Sequence, residues 1–407
     1  MKAKYFASCP KGLEDLLVQE AKSFGVDEVL FKVKGGLQFD LPEDKLFDFF
    51  LHSRVASRFY LKLQHFKIKK LDDLHAKNIN YPWTEVMGAN QSFKVQTLFD
   101  FQAKKEFRNS MVASLKLKDA LVDHFRQKTN KRPDVDTKMP DVQILLRVEG
   151  SQKPDEFYAT TWLDLTGKPL SNRGYRPPQM RAPLRENLAA GLVLSTDWDS
   201  KNEFLLDPMC GSGTILVEAQ MIRLGIAPTY LRVGRMINQQ SEEFALQRLL
   251  WVLNNPKRLE AFQRSCDRVH KQAQKALAAP VDFPLYGVDN HPQALEDAKT
   301  TLRLALMNDT HIHVSAGNAL SARPPEFPEK GIILTNPPYG DRLGVSEELE
   351  ELYHDFGEIL KSEFKGHRAY IITGSPELRK QISLKTAQRQ TFFNGDIECR
   401  LLKYELY

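Results

Sequence analysis

Asn336-Pro337-Pro338-Tyr339 stands directly after the apolar run Gly331-Ile-Ile-Leu-Thr335, the pattern of a buried strand ending in a loop. These residue types suit the exocyclic amine of a planar base. Such an amine is a weak nucleophile because its lone pair is delocalised into the ring, and two acceptors on its hydrogens can turn that lone pair toward an electrophile. The Asn336 side-chain oxygen and the Pro337 main-chain carbonyl can be those acceptors, while the paired prolines stiffen the loop and Tyr339 offers a face for the base to stack on. Catalytic roles are therefore expected for Asn336, Pro337 and Tyr339, in a reaction carried by orientation and proximity rather than by a strong base. In isolation the tetrapeptide could also be an ordinary loop. Arg342, in Gly340-Asp-Arg-Leu343, could bind a phosphate or form a surface ion pair.

Upstream, Asp207-Pro-Met-Cys-Gly211-Ser-Gly213-Thr214 follows another apolar run, Phe204-Leu-Leu206, and leads into an apolar helix. Gly211 and Gly213 let the backbone turn tightly and approach a ligand, and the start of the helix presents unpaired amides to a carboxylate. Asp207, Gly211, Gly213 and Thr214 are thus candidates for holding a nucleotide-like cofactor. Two polar residues follow later strands, Asp289 after Leu285-Tyr-Gly-Val288 and Asn318 after His313-Val-Ser315. Asp289 could instead cap the helix beginning near Pro292, and Asn318 could be a turn residue. A charged, helical insertion over 226–280 separates the glycine loop from Asp289. A dinucleotide-binding fold places its acid only ~20 residues on, which counts against NAD.

The elements that must position these loops change character along the chain. From residue 183 strand-like runs alternate with helices, the mark of an open parallel α/β sheet: Phe204–Leu206, Leu285–Val288, His313–Ser315, Ile332–Leu334 and Ala369–Thr373. Gln388–Phe393 and Ile397–Leu406 flank Asn394-Gly395 and predict a terminal antiparallel hairpin. Residues 1–60 read as a small α/β unit and 61–166 as a second. Within the second, Val112, Leu115, Val122 and Phe125 suggest a buried helical stripe, and 142–148 with 157–165 a hairpin. Residues 167–182, rich in Gly, Pro and Arg, read as a linker, and 183–407 as the catalytic domain.

A chain of 407 residues predicts two or three domains. Its net charge of +5 permits a polyanionic partner, and the charge is localised: Lys104 to Arg132 carries nine basic residues against three acids. Lys116, Lys118, Arg126, Lys131 and Arg132 in that stretch are candidates for phosphate contacts, with a solvated helical face as the alternative. The four cysteines have neither a Cys-x-x-Cys pair nor matching His spacing, so no metal and no disulfide framework is expected. No apolar run approaches the ~20 residues of a membrane span, and the first residues carry too little apolar sequence for a signal peptide. A cytoplasmic protein without a membrane partner is expected.

Several further segments carry a family resemblance: Ser8-Cys-Pro-Lys-Gly-Leu-Glu14, Leu115 to Asp123, Lys131 to Asp136, Leu163-Asp-Leu-Thr-Gly167, Asn172-Arg-Gly-Tyr-Arg176, Ala182-Pro-Leu-Arg-Glu-Asn187 and Asn394 to Leu402. With the two loops, they resemble the bacterial THUMP-domain methyltransferases across nearly the whole chain. These are similar to the guanine-N2 methyltransferase of large-subunit ribosomal RNA and are often labelled adenine-N6 DNA methylases. The resemblance implies an α/β protein with a Rossmann-like class I methyltransferase domain behind N-terminal ferredoxin-like and THUMP domains, lacking the second methyltransferase module fused to some relatives. It also implies S-adenosylmethionine as cofactor, with the ribose on Asp289 and the adenine amine on Asn318, where the family commonly has Asp. The implied partner is RNA, 23S rRNA or a large-subunit assembly intermediate, with methyl transfer to guanine N2. Adenine-N6 methylation of DNA and a non-catalytic RNA-binding assembly role are the alternatives.

Overall fold

The computed structural model describes residues 3–27, 29–153, 155–177, 180, 184–339 and 346–407. The N-terminal half holds strands β1 (Ala3–Ser8), β2 (Val29–Val33), β3 (Gly36–Leu41), β4 (Arg58–Ile68), β5 (Phe93–Phe99), β6 (Val142–Gly150) and β7 (Phe157–Asp164). They form one sheet in the order β2-β3-β1-β4-β7-β6-β5. Strand β4 is its spine. Its first residues pair with β1, from Arg58 opposite Ser8 to Leu61 opposite Tyr5, while Tyr60 to Ile68 pair with β7. The division expected near residue 60 therefore falls inside a strand, and the two N-terminal units share one sheet.

The helix Ser110–Thr129 turns a different face inward from the one its sequence suggests. Ala113, Leu117, Ala120, Leu121 and Phe125 are buried at helical spacing, with Val122 beside them, whereas Val112 and Leu115 are 37% and 47% exposed. The alanines explain the difference. They let the helix lie close against β5 and the helix Asp72–Asn78, so the small residues mark the packed face and the larger Val112 and Leu115 project outward.

The second sheet contains β8 (Phe204–Asp207), β9 (Leu285–Asp289), β10 (Ile312–Ala316), β11 (Gly331–Thr335), β12 (Arg368–Thr373), β13 (Thr386–Asn394) and β14 (Ile397–Glu405). Its order is β10-β9-β8-β11-β12-β14-β13. The first five run parallel and β14 is antiparallel to both neighbours. Buried on both faces, β8 and β11 are continuous apolar runs, as central parallel strands must be. From β8 the chain winds outward through β9 and β10, then returns to β11 on the other side. The strand order thus reverses between β8 and β11, which is where an open α/β sheet leaves a crevice at its carboxyl edge.

The insertion joins the two halves. Its helices Leu250–Leu253 and Pro256–Ala278 pack on the helix Glu43–His52, with the helix Tyr230–Gln239 against Pro256–Ala278: Phe262 and Trp251 meet Phe47, and Phe244 meets Phe50. Arg258 closes on Glu43 with two hydrogen bonds of 2.6 and 2.8 Å. A second junction is ionic and fully buried. Arg173 and Glu218 are both 0% exposed, joined at 3.2 Å, and Glu218 also accepts from the Tyr175 hydroxyl at 2.9 Å. Arg173 donates to the Arg54 carbonyl, and Arg54 in turn donates to the carbonyls of Met221 and Ile226. Among the described residues no helix is long and apolar enough to cross a membrane, and no group of three or more His, Cys, Asp or Glu could hold a metal ion.

Candidate active site

A cleft of about 1030 Å³ opens at the carboxyl edge of the second sheet. Its lining includes Asp289, Asn318, Asn336, Pro337 and Tyr339, three loops that are far apart in the chain. Its volume is at the upper end of the ~300–1,000 Å³ usual for ligand sites. A cofactor and a base can fit together.

On the β11 side, the Asn336 side-chain oxygen is buried and has no hydrogen-bond partner among the described residues. A buried acceptor left unsatisfied costs roughly 1–3 kcal/mol, a cost that a hydrogen-bond donor at this end of the cleft would relieve. The Tyr339 ring packs toward Gly374, while its hydroxyl accepts from Asn394 Nδ2 at 3.3 Å. Burial pushes that phenol up to about 12, and it stays protonated at neutral pH. Tyr339 is therefore no proton acceptor there, and it lines the cleft. Cys399 lies 3.8 Å from the same hydroxyl, and its thiol is raised by burial, so it supplies no nucleophile. Arg342 lies outside the described residues.

On the β8 side, Gly211 and Gly213 take φ of +53° and +74°, and the helix Thr214–Arg223 follows directly. The Gly211 amide donates to Asp289 Oδ2 at 2.8 Å, and the His291 amide donates to Oδ1 at 2.9 Å. These bonds aim the carboxylate and use two of its roughly four acceptor positions, leaving the others for hydroxyl groups in the cleft. His291, not Asp289, is the N-cap of the helix Pro292–Leu304.

Asn318 is split between the two roles the sequence allows. Its side chain accepts from the Leu320 amide at 3.0 Å, capping a short turn, and it also lines the cleft. Asp207 and Thr214 do not face the cleft. They are 1% and 5% exposed. Asp207 accepts from the Met209 amide and shapes the loop from behind; Thr214 accepts from Arg176 at 2.6 Å, and Arg176 also pairs with Glu186.

Burial pushes the Asp207 carboxyl up to about 7, with the nearby Asp289 charge adding to the effect and the Met209 hydrogen bond opposing it. The unfolded chain releases this proton near 3.8 and the native chain near 7. Between those values the native state holds the extra proton, so this group makes stability fall as pH rises, and above pH 7 the loss is constant. Asp207→Asn should remove the fall. Urea unfolding of parent and variant from pH 4 to 8 is expected to diverge in the variant's favour by up to ~1.4 kcal/mol per pH unit until pH 7, then level. A difference that stays flat with pH would show that the carboxyl titrates normally.

Arg185, Asn394, Gly395 and Ile397 also line the cleft, and sequence reasoning did not place them there. The Asn-Gly turn signals a hairpin, but its seat opposite Tyr339 follows from β14 pairing with β12. Of the expected RNA contacts, Lys116 is bonded to Asp72 and Lys118 to Asp119, both at 2.6 Å, and Arg126 to Asp123 at 3.3 Å. Lys131 and Arg132 are exposed and form no ion pair among the described residues.

Residues 173–403 match the model of the RMKL-like methyltransferase domain. The chain belongs to that family. Ahead of the RMKL-like domain, residues 4–60 match the RlmL ferredoxin-like domain and 69–152 the THUMP domain. The "Ribosomal RNA large subunit methyltransferase K/L" of Syntrophotalea carbinolica is 34% identical over 99% of this chain and 53% of its own length. The chain spans about half the length of the curated relatives it matches. Among solved structures, a "predicted N6-adenine-specific DNA methylase" from Listeria monocytogenes superposes with a TM-score of 0.80 at 24% identity, covering 100% of this chain and 97% of that one. SMU.472, complexed with SAH, does so with a TM-score of 0.81 at 22% identity, covering 100% and 99%. At those identities the structures establish the fold of the RMKL-like domain and its N-terminal partners.

Proposed function

We propose that this protein transfers a methyl group from S-adenosylmethionine to the exocyclic N2 amine of a guanine in 23S ribosomal RNA. The observation that carries the reading is the buried, unpartnered Asn336 oxygen at the switch-point cleft of an RMKL-like methyltransferase domain. It fits a group that donates a hydrogen, as a base amine does, and Asp289 on the opposite wall fits a ribose. The bound cofactor supplies an electrophilic methyl group. Asn336 and the Pro337 carbonyl hold the amine hydrogens so that the lone pair faces that methyl; Tyr339 holds the base plane, and the proton leaves to solvent after the nitrogen has become cationic. A base drawn out of its stack, or already unpaired, would enter beside Tyr339.

RNA is favoured over DNA by the THUMP match and by the names of the curated relatives. The guanine assignment rests on the resemblance to the guanine-N2 methyltransferases of large-subunit ribosomal RNA, since the loop would serve adenine N6 equally well. A purely RNA-binding assembly factor would have no use for a desolvated acceptor at the cleft. Tritiated cofactor, offered with undermethylated rRNA and with duplex DNA, separates the readings, and nucleoside mass spectrometry of the product identifies the amine. Label in N2-methylguanosine from rRNA is expected; label in DNA adenine with none in rRNA would overturn the assignment.

Cofactor binding gives a separate check. Asp289→Ala removes the only carboxylate lining the cleft among the described residues and should weaken S-adenosylmethionine binding by more than about 1 kcal/mol. Unchanged calorimetric affinity would remove Asp289 from the site.

A further inference from the structure

The segment Ser8-Cys-Pro-Lys-Gly-Leu-Glu14 plays no part in the chemistry above, yet it packs on β13, whose last residue, Asn394, lines the cleft. Gly12, at φ +93°, passes so close to β13 that an added Cβ would lie 2.5 Å from the Thr391 carbonyl oxygen, and the Phe393 amide donates to the Lys11 carbonyl at 3.2 Å. The Glu14 carboxylate accepts from the Gly12 amide at 2.8 Å and from the Gly35 amide at 2.7 Å. One side chain thus ties together the two loops that carry Lys11 and Lys34. Both ammonium groups come to rest on the same Phe393 ring, 5.7 and 5.3 Å from its centroid. The next residue, Asn394, lines the cleft and bonds to Tyr339.

The two lysines are not what holds the domains together. That work falls to the buried Arg173–Glu218 pair, the aromatic contacts of Phe47 and Phe50, and Leu13, which seats on the helix Glu186–Leu194 at Gly191. Lys11 and Lys34 are exposed, and neither forms an ion pair among the described residues. Gathering two like charges on one ring costs Coulomb energy. A bound anion would turn that cost into attraction. By contrast, Lys116, Lys118 and Arg126 on the basic helix already carry their own acids.

We propose that Lys11 and Lys34, seated on Phe393, bind the sugar-phosphate backbone of the RNA beside the nucleotide whose base enters the cleft. This rests on the reading of RNA as substrate. Lysines of this kind act as point charges, so the patch holds the strand and reads no sequence. The ferredoxin-like unit thereby contributes directly to the substrate site.

The test uses the full chain with Lys11→Met and Lys34→Met together, which keeps the aliphatic stems on Phe393, and with Lys11→Arg and Lys34→Arg as the charge-retaining control. RNA binding is measured between 50 and 200 mM salt, and methyl transfer as KM for RNA and kcat at saturating cofactor. Losing two phosphate contacts on a single strand, at about 0.7 each, lowers the salt slope by about 1.4, so the variant should lose about sevenfold less affinity over that range than the parent. Its KM for RNA should rise, with kcat, melting temperature and cofactor affinity close to those of the parent, and the arginine control should behave as the parent does. An unchanged salt slope and KM in an active, folded Met variant would overturn the proposal. So would a parallel loss of melting temperature and cofactor affinity in both the Met and Arg pairs, which would assign the lysines to docking. If the double variant does not fold, Lys34→Met alone, with an expected slope change of about 0.7, decides the matter. A parent that methylates no RNA refutes the proposed function itself, and the salt slope still reports on the patch.

Discussion

Asn336→Ala is expected to lose roughly 10²-fold or more in kcat while binding the cofactor as tightly as the parent. The estimate follows from geometry: with one of two acceptors gone, the amine can rotate away from the transfer direction, and small misplacements in a bimolecular transfer cost about that factor. The variant should also fold normally, or melt slightly higher, because it removes a buried oxygen that has no partner among the described residues. Tyr339→Ala should act on the same step through the lost stacking face, worth about 1–3 kcal/mol, and also removes the hydroxyl that accepts from Asn394. Single-turnover methyl transfer and calorimetric cofactor binding, run on both variants, give the check. If Asn336→Ala kept full turnover, the β11 loop would not be the amine-holding element.

Glu218→Ala is expected to be among the most destabilising single substitutions available in this chain, at about 3–5 kcal/mol. It leaves the Arg173 guanidinium uncompensated where both partners are fully buried, and it strips the Tyr175 hydroxyl of its acceptor. Because Arg173 also donates to the Arg54 carbonyl, the damage should spread across the junction between the two halves. Glu218→Gln, which keeps an acceptor for Tyr175 but loses the charge, should be milder than Ala. Denaturant unfolding with intrinsic fluorescence measures both; a loss below about 1 kcal/mol for Ala would mean that water reaches the vacated site, since a buried charge without its partner costs several times that.

The RMKL-like half is the part whose architecture can be read in the residues. Central parallel strands are buried on both faces and therefore appear as uninterrupted apolar runs, so β8, β11 and β12 stand within a residue or two of where the runs lie. The Asn394-Gly395 turn likewise announces the hairpin. Strand β4 is hidden because Lys62, Gln64, His65 and Lys67 break its pattern, the result of a bulge and of a sheet with one accessible face. The helix Ser110–Thr129 misleads for a related reason: its packed face uses alanines, and hydrophobic size points to the wrong side. Of the site, Asn336, Asp289 and Tyr339 are recognisable from loop chemistry. Arg185 and the Asn394 turn are not, since they join the cleft only through strand order. Nor does the sequence reveal that Asp207 and Thr214 lie behind the glycine loop, because residues that shape a binding loop and residues that touch its ligand are equally polar.

The shared spine of β4 and the buried Arg173–Glu218 junction tie the sheet beside the basic helix to the half that holds the cleft. An enzyme gripping RNA through Lys131 and Arg132 while presenting Tyr339 to a base would act as a ruler of fixed length. Its target would be set by how many nucleotides span the two points in the folded RNA, with sequence read only at the base that enters. A guanine in the right sequence at the wrong distance from the gripped helix would then pass unmodified.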